Sequence, residues 1–296
     1  MSIKAINLHY KKRPSLFKNI SHIVILAIWR SRKKFQGVDS VPRITATLDG
    51  FVIDQKHLYE FNKICEIKNS NEISLIYPMT LVFPLIQRML GLKEAPLSVF
   101  NVLGKRLQIE QYRKISIGDE LDIHCETTGL RIVPKGLEFY ISAIIQTAGT
   151  AIWKATETFF YRGNFGDVAE TYEHSQLNSI PDAEEIMRWY LPEGLGFRFV
   201  KITGDGNGIH YSKQYARLLG FERDFAQPFL VLGNSINRLL DSNKEDAISL
   251  DVALKGPLYY ERDIIIKGIL NNNANQFEIY NEGNERPCMV GIISAP

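Results

Sequence analysis

The sequence predicts an α+β protein of two similar halves, each an antiparallel sheet wrapped round one long apolar helix. Three observations lead there. Each half contains an apolar segment with helical spacing, residues 77–92 and 228–241. Each segment is followed by strands rich in Ile, Val, Tyr, Phe and Thr. Strands grouped after a helix, rather than alternating with helices, argue against a parallel sheet. The 296 residues give room for two halves at about 150 residues each.

The chain opens on a basic arm. Residues 1–40 carry nine Lys or Arg and one acid, a net of +8, whereas the remaining 256 residues sum to −6. An acidic body excludes nucleic-acid binding by charge. The arm reads as a solvated tail that folding can do without. A sharper reading is also open. Ile20, Ile23, Val24 and Ala27 share one helical face, with the basic run of 30–34 beyond it, so residues 1–38 would form a peripheral membrane contact.

The first half is placed at 41–163. Residues 43–48 read as a strand, and 54–64 as a short helix capped by Asp54, with Leu58, Phe61 and Ile64 on one face. Segment 77–92 is apolar nearly all round and so predicts a buried helix, in which Pro84 implies a kink or two short pieces. Strands follow at 106–112, 120–127, 137–147 and 150–161, divided by Gly118-Asp119, Pro134-Lys135-Gly136 and Gly149.

Residues 164–195 mix Pro181, Pro192 and the acids Asp182, Glu184 and Glu185, and read as a linker. The second half, 196–296, repeats the order. It has a strand at 196–203, then a helix at 228–241 with Phe229, Leu232, Ile236 and Leu239 on one face. Strands come again at 248–254, 263–270, 276–280 and 287–293. A sheet curled round one long helix is the hot-dog architecture, and two in one chain make a double hot-dog. A flat sheet with helices on one face would use the same elements.

Three cysteines, Cys65, Cys125 and Cys288, form no metal-ligand spacing and no disulfide framework, which fits a reducing cytoplasm. Cys125 and His124 are adjacent on a strand and face opposite sides, so they are no nucleophile–base pair. His57 and His174 read as surface or capping residues. The longest early apolar run, 23–29, has seven residues, against about 20 for a membrane span. A basic cluster follows it instead of a cleavage site. Neither a signal peptide nor a transmembrane helix is expected.

The chemistry concentrates at Thr203-Gly204-Asp205-Gly206-Asn207-Gly208-Ile209-His210. Gly204, Gly206 and Gly208 would let the backbone take positive φ and fold Asp205 and His210 toward one point. A carboxylate and an imidazole converging on one water form a minimal acid–base unit. Asn207 can hold Asp205 or the bend. The bland alternatives are that Asp205 caps the next helix and that His210 is a structural histidine.

This string resembles the hydratase-2 motif of the MaoC-like acyl dehydratases, S-G-D-x-N-P-[LIV]-H. The resemblance continues through residues 215–223, similar to that family's A-x-x-x-G-F segment, and through residues 254–258, similar to its K-x-P-L. Weaker similarity extends over roughly 40–296. It implies reversible hydration of a 2-enoyl thioester, a hydro-lyase reaction of fatty-acid or related lipid metabolism. Asp205 and His210 would be catalytic, supported by Asn207 and Gly204. The first half would be non-catalytic and help form the acyl tunnel. The substrate itself carries CoA or phosphopantetheine, and no metal or other cofactor is implied. An acyl carrier protein is an expected partner, and the chain would be a monomer or homodimer.

In that family a backbone amide of an H-G pair at the buried helix's N-terminus polarises the thioester carbonyl. Here Gln227-Pro228 stands in its place, and Pro228 has no N–H to donate. Proline is comfortable at a first helical position, and Phe229 and Leu230 still bring amides to the first turn. The expected oxyanion region is therefore Gln227, Pro228 and Phe229. Two other functions remain alongside: an acyl-thioester-binding protein of the same fold, and an acyl-CoA thioesterase. The thioesterase would need a carboxylate on the helix, where Asp241 comes too late.

Overall fold

A computed structural model describes residues 5–14, 42–68, 71–92, 94–95, 102–168, 177–240, 246–271 and 274–296. Its first half holds β1 (Ile6–Tyr10), β2 (Ile44–Val52), α1 (Gln55–Ile64), α2 (Met79–Leu90), β3 (Val102–Gln111), β4 (Glu120–Val133), β5 (Gly136–Thr147) and β6 (Thr150–Arg162). The second holds β7 (Glu184–Leu191), α3 (Leu195–Thr203), α4 (Lys213–Leu218), α5 (Pro228–Leu239), β8 (Ile248–Leu254), β9 (Arg262–Ile269), β10 (Ala274–Asn281) and β11 (Met289–Ser294).

All these strands join one sheet in the order β1-β2-β4-β5-β6-β3-β8-β11-β10-β9-β7. Leaving β1 aside, the order reads the same from both ends, with β2 to β6 taking the places of β7 to β11. In each half the long helix, α2 or α5, sits between the first strand and the second. The predicted double hot-dog is the observed fold. The halves meet where β3 and β8 pair antiparallel, from Arg106 opposite Ala253 to Gln111 opposite Ile248. Arg106 clamps that seam with two hydrogen bonds to the Asp251 carboxylate, Nε to Oδ1 at 2.7 Å.

The apolar stripes read from the sequence face one another. α2 buries Met79, Leu81, Val82, Leu85 and Met89, and α5 buries Phe229 to Leu232 and Ile236. The two helices touch edge to face through Phe83 and Phe229, with ring centroids 5.4 Å apart. One core runs through both halves. Pro84 does not divide α2, which continues as a single 12-residue helix. A mid-helix proline removes only its own N–H bond to the preceding turn, and close packing on all sides holds the rest.

Four expectations are corrected. The arm is not all tail. Ile6–Tyr10 pairs in parallel with β2, Ile6 opposite Ile44 through Tyr10 opposite Leu48, and Arg13 donates to the Ile202 carbonyl. Ile6, Leu8 and Tyr10 pack on the core, so their alternation outweighs the charges around them. The proposed interfacial segment, 20–34, lies outside the described residues.

Residues 196–203 are helical rather than extended. Their buried positions include Gly196, Phe199, Val200 and Thr203, a helical spacing, and Phe197 is exposed. Gly194 and Gly204, both left-handed, bound the helix. β7 lies inside the stretch read as a linker. It is an edge strand paired only with β9, so much of its surface faces solvent and its pattern is weakly apolar.

His57 is not a surface residue. It is half-buried between α1, α2 and α3, with Nδ1 2.9 Å from the Tyr77 hydroxyl and Nε2 3.0 Å from the Ile202 carbonyl. Burial and the nearby Arg13 push its pKa down to about 4. His174 lies outside the described residues. All three cysteines are buried and free. Among the described residues no helix is long and apolar enough to cross a membrane.

Candidate active site

The second half's first crossover, between β7 and α5, builds the site. α3 ends on Gly204, whose φ of 76° turns the chain out of the helix. Gly204 alone of the three glycines takes positive φ. Gly208 is needed for a different reason: a Cβ there would come within 2.8 Å of the Tyr215 ring.

After Gly204 the chain hydrogen-bonds to itself. The Asn207 N–H donates to Asp205 Oδ1 at 3.0 Å, and Asn207 Oδ1 accepts from the Ile209 N–H at 3.3 Å. The second bond caps a 3₁₀ turn, Gly208–His210. Gly196 of α3 packs so tightly on the His210 carbonyl that a Cβ would lie 2.0 Å from it. Tyr260 donates to the same carbonyl at 3.0 Å.

These constraints bring Asp205 and His210 together. Both are 6% exposed. His210 Nδ1 lies 2.9 Å from the Phe225 carbonyl. A carbonyl can only accept, so Nδ1 carries a proton, and in the neutral tautomer Nε2 is the lone-pair nitrogen. That nitrogen faces Asp205 Oδ2 at 3.4 Å. Two lone-pair atoms at that separation suit a shared proton or a water donating to both.

The first half supplies part of this site. Gln87, on α2, donates through Nε2 to Asp205 Oδ1 at 3.1 Å. Burial raises the Asp205 pKa, opposed by His210, the Asn207 N–H, and the amides of Gln227 and Gln87. A carboxylate shifted upward in this way is a stronger base than an ordinary one. The bland reading of Asp205 covers only Oδ1, because Oδ2 remains free toward His210.

Both side chains open on a cavity of about 340 Å³, within the usual range for small-ligand sites. Its walls are mostly apolar and come from both halves, including Phe83 and Leu90 of α2, Phe159 of β6, Phe225, Phe229 of α5, and Leu258. Such a cavity fits an acyl chain. Lys255, exposed, stands in its wall. Among the described residues no group of three or more His, Cys, Asp or Glu side chains could hold a metal ion.

The region expected to hold an oxyanion lies in the same cavity. Pro228 is the first residue of α5. The Leu230 N–H, expected to be free, is taken by the Gln227 carbonyl at 3.1 Å. The Phe229 N–H has no acceptor among the described residues. Gln227 is 2% exposed; its Oε1 accepts from Thr203 at 2.9 Å, while its Nε2 makes no full hydrogen bond among the described residues but lies near enough to Asp205 to lower that carboxyl's pKa. Two donors, one backbone and one side-chain, therefore stand at the helix N-terminus.

Sequence reasoning missed Gln87, Glu157 and the Phe225 carbonyl. Gln87 is a polar position in an otherwise apolar run, a signal that was present. Glu157 is an acid on the same strand face as Trp153, Ala155 and Phe159. A main-chain acceptor such as Phe225 leaves no residue-type signal.

No family model matches the chain. The 3-hydroxyacyl-thioester dehydratase X of Mycobacterium tuberculosis is 21% identical over 221 residues, 74% of this chain and 78% of the relative. The crystal structure of HtdX from that organism superposes with a TM-score of 0.73 at 17% identity, covering 85% of this chain and all of the other. A MaoC-like dehydratase from Phytophthora capsici gives a TM-score of 0.72 at 14% identity, with 88% and 98% covered. With the Gly-Asp-x-Asn-x-x-His string placed as described, these similarities show the chain to have the double hot-dog fold of the MaoC-like dehydratases it resembles.

Proposed function

We propose that the chain is a hydro-lyase that reversibly adds water across the 2,3 double bond of an enoyl thioester. The observation that carries this is the Asp205–His210 pair, 3.4 Å apart, facing an apolar cavity of about 340 Å³. A water donating one hydrogen to Oδ2 and one to Nε2 presents its oxygen to C3. As the C–O bond forms, one of the pair takes the water's proton. The electrons of the double bond move toward the thioester oxygen, and a proton from the pair then goes to C2. Dehydration runs the same steps backward.

The developing oxyanion needs donors that are already in place. Phe229 and Gln227 both line the cavity, and in this reading the Phe229 N–H and the Gln227 amide supply them, with the positive end of α5 behind. Gln227 thereby takes over what Pro228 cannot do. The substrate carries its own thioester, on CoA or an acyl carrier protein, and the only co-reactant is water. Lys255 at the cavity wall suits the phosphates of either carrier.

A second reading, an acyl-thioester-binding protein without turnover, rests on Pro228. The loss of the conjugated enoyl absorbance of trans-2-enoyl-CoA, followed across chain lengths, separates the two. Turnover that disappears in Asp205→Asn supports the hydro-lyase. Tight binding of acyl-CoA with no turnover at any chain length supports the binder.

A further inference from the structure

Glu157 is the one acid on the inward face of β6, in line with Trp153, Ala155 and Phe159. Its cross-strand neighbours are Leu107 on β3 and Ile141 on β5, both buried. The side chain is 6% exposed, and no cation pairs with it among the described residues. Its Oε2 has no hydrogen-bond partner. The carboxyl lines the cavity already described. Gly104 on β3, opposite Phe159, carries no side chain to cover the carboxyl: a Cβ there would lie 3.8 Å from Oε1 and 3.1 Å from a Leu254 methyl.

A tunnel made only for unsubstituted alkyl chains gains nothing from such a group. A buried polar atom without a partner destabilises a protein, and leucine or phenylalanine would fill the place at no such cost. Its surroundings also favour the neutral form of the carboxyl. Burial, with the charge of Asp205 close by, pushes its pKa up to about 8. A neutral carboxylic acid both donates and accepts a hydrogen bond.

We propose that Glu157 is a specificity-determining residue that hydrogen-bonds an oxygen substituent, a hydroxyl or keto group, on the acyl chain a few carbons beyond C3. The inference rests on the acyl-thioester reading of the cavity. A chain bearing such a group gives the buried carboxyl a hydrogen-bond partner. A plain alkyl chain leaves it unpaired and binds less well, because a site built for a hydrogen bond rejects the analogue that lacks it.

Titration calorimetry tests this with saturated acyl-CoAs of one length, plain or carrying a single hydroxyl stepped outward from C5. Wild-type protein should prefer one hydroxylated isomer by about tenfold or more. Glu157→Gln should keep most of that preference, and Glu157→Leu should lose it and bind the plain chain at least as well. Equal affinity of wild type for the plain chain and every isomer overturns the proposal, as does a preference that survives in Glu157→Leu. The wild-type comparison needs no variant, so the proposal can be refuted even if Glu157→Leu does not fold. Turnover of plain trans-2-enoyl-CoA is measured alongside. Turnover without selectivity overturns this inference alone, and selectivity without turnover overturns the hydro-lyase alone.

Discussion

The two halves share one strand order and one central helix each, yet differ in what joins the first strand to that helix. In the first half residues 53–78 make the crossing, with α1 as their only helix. In the second, residues 192–227 make it and include α3, the 3₁₀ turn and α4. Asp205 and His210 both lie on that second crossing. The sheets are scaffolds of equal quality, and the chemistry follows the connection. The first half is not idle, however: Gln87 reaches the Asp205 carboxylate, and Phe83, Glu157 and Phe159 form cavity wall. One half carries the proposed reacting groups, while the other reaches the Asp205 carboxylate and lines the cavity.

The contrast can be broken hardest at Asp205. Asp205→Asn should leave the melting temperature close to wild type and lower kcat/KM for enoyl-CoA by about 10²–10⁴. Unchanged turnover would place the chemistry elsewhere. Gln227→Met removes one oxyanion donor and keeps the shape, so a fall of about 10² in kcat is expected. A rate that holds would leave Phe229 N–H as the sufficient donor.

A smaller effect tests the idle-half alternative. Gln87→Leu should cost about tenfold in rate by removing a hydrogen bond to the carboxylate. The Gln87 amide lowers the Asp205 pKa, so its loss raises that pKa and moves the acid limb of the pH–rate profile to higher pH. A purely structural Gln87 would lower the rate at every pH without moving the limb.

Two predictions concern stability. Deleting residues 1–38 removes β1 and Arg13 and should lower the melting temperature by about 5 °C; an unchanged value would mean β1 adds nothing to the sheet. Glu157 has a folded pKa of about 8 against an ordinary 4.5. Between these values the folded state holds a proton that the unfolded chain has released. Its contribution to stability therefore falls as pH rises from 4.5 to 8 and is level above. The Tm difference between Glu157→Gln and wild type should widen in the variant's favour over that window, and a constant difference would assign Glu157 an ordinary pKa.

Much of this was legible in the chain. Residues 77–92 and 228–241 announced α2 and α5 because both are long and apolar on every buried face. Strands β3 to β6 and β8 to β11 showed through alternation between clear turns. The Asp205 string was legible because its residue types and spacing are specific. The failures share a cause, which is that local pattern carries no information about neighbours. Residues 196–203 alternate well enough to pass for a strand, and only contact with the His210 backbone explains Gly196. β1 and β7 lie at the two ends of the sheet order, where half the surface is wet and the apolar signal is diluted. Gln87 and Glu157 are ordinary polar residues until the fold sets them against Asp205 from more than 40 positions away in sequence.

The pairing of β3 with β8, locked by Arg106 and Asp251, has a consequence for how such a protein can change. In an assembly of two identical chains, every substitution would be made twice, and a residue suited to one wall would be imposed on the other. Here the seam lies within a single polypeptide. An acid at position 157 is inherited once, with Met289, which lines the cavity from the opposite half, free to stay apolar. The covalent join therefore separates the evolution of substrate choice from that of the reacting groups. The half without the Asp–His pair can be retuned for a new acyl chain while the glycine bend is left alone.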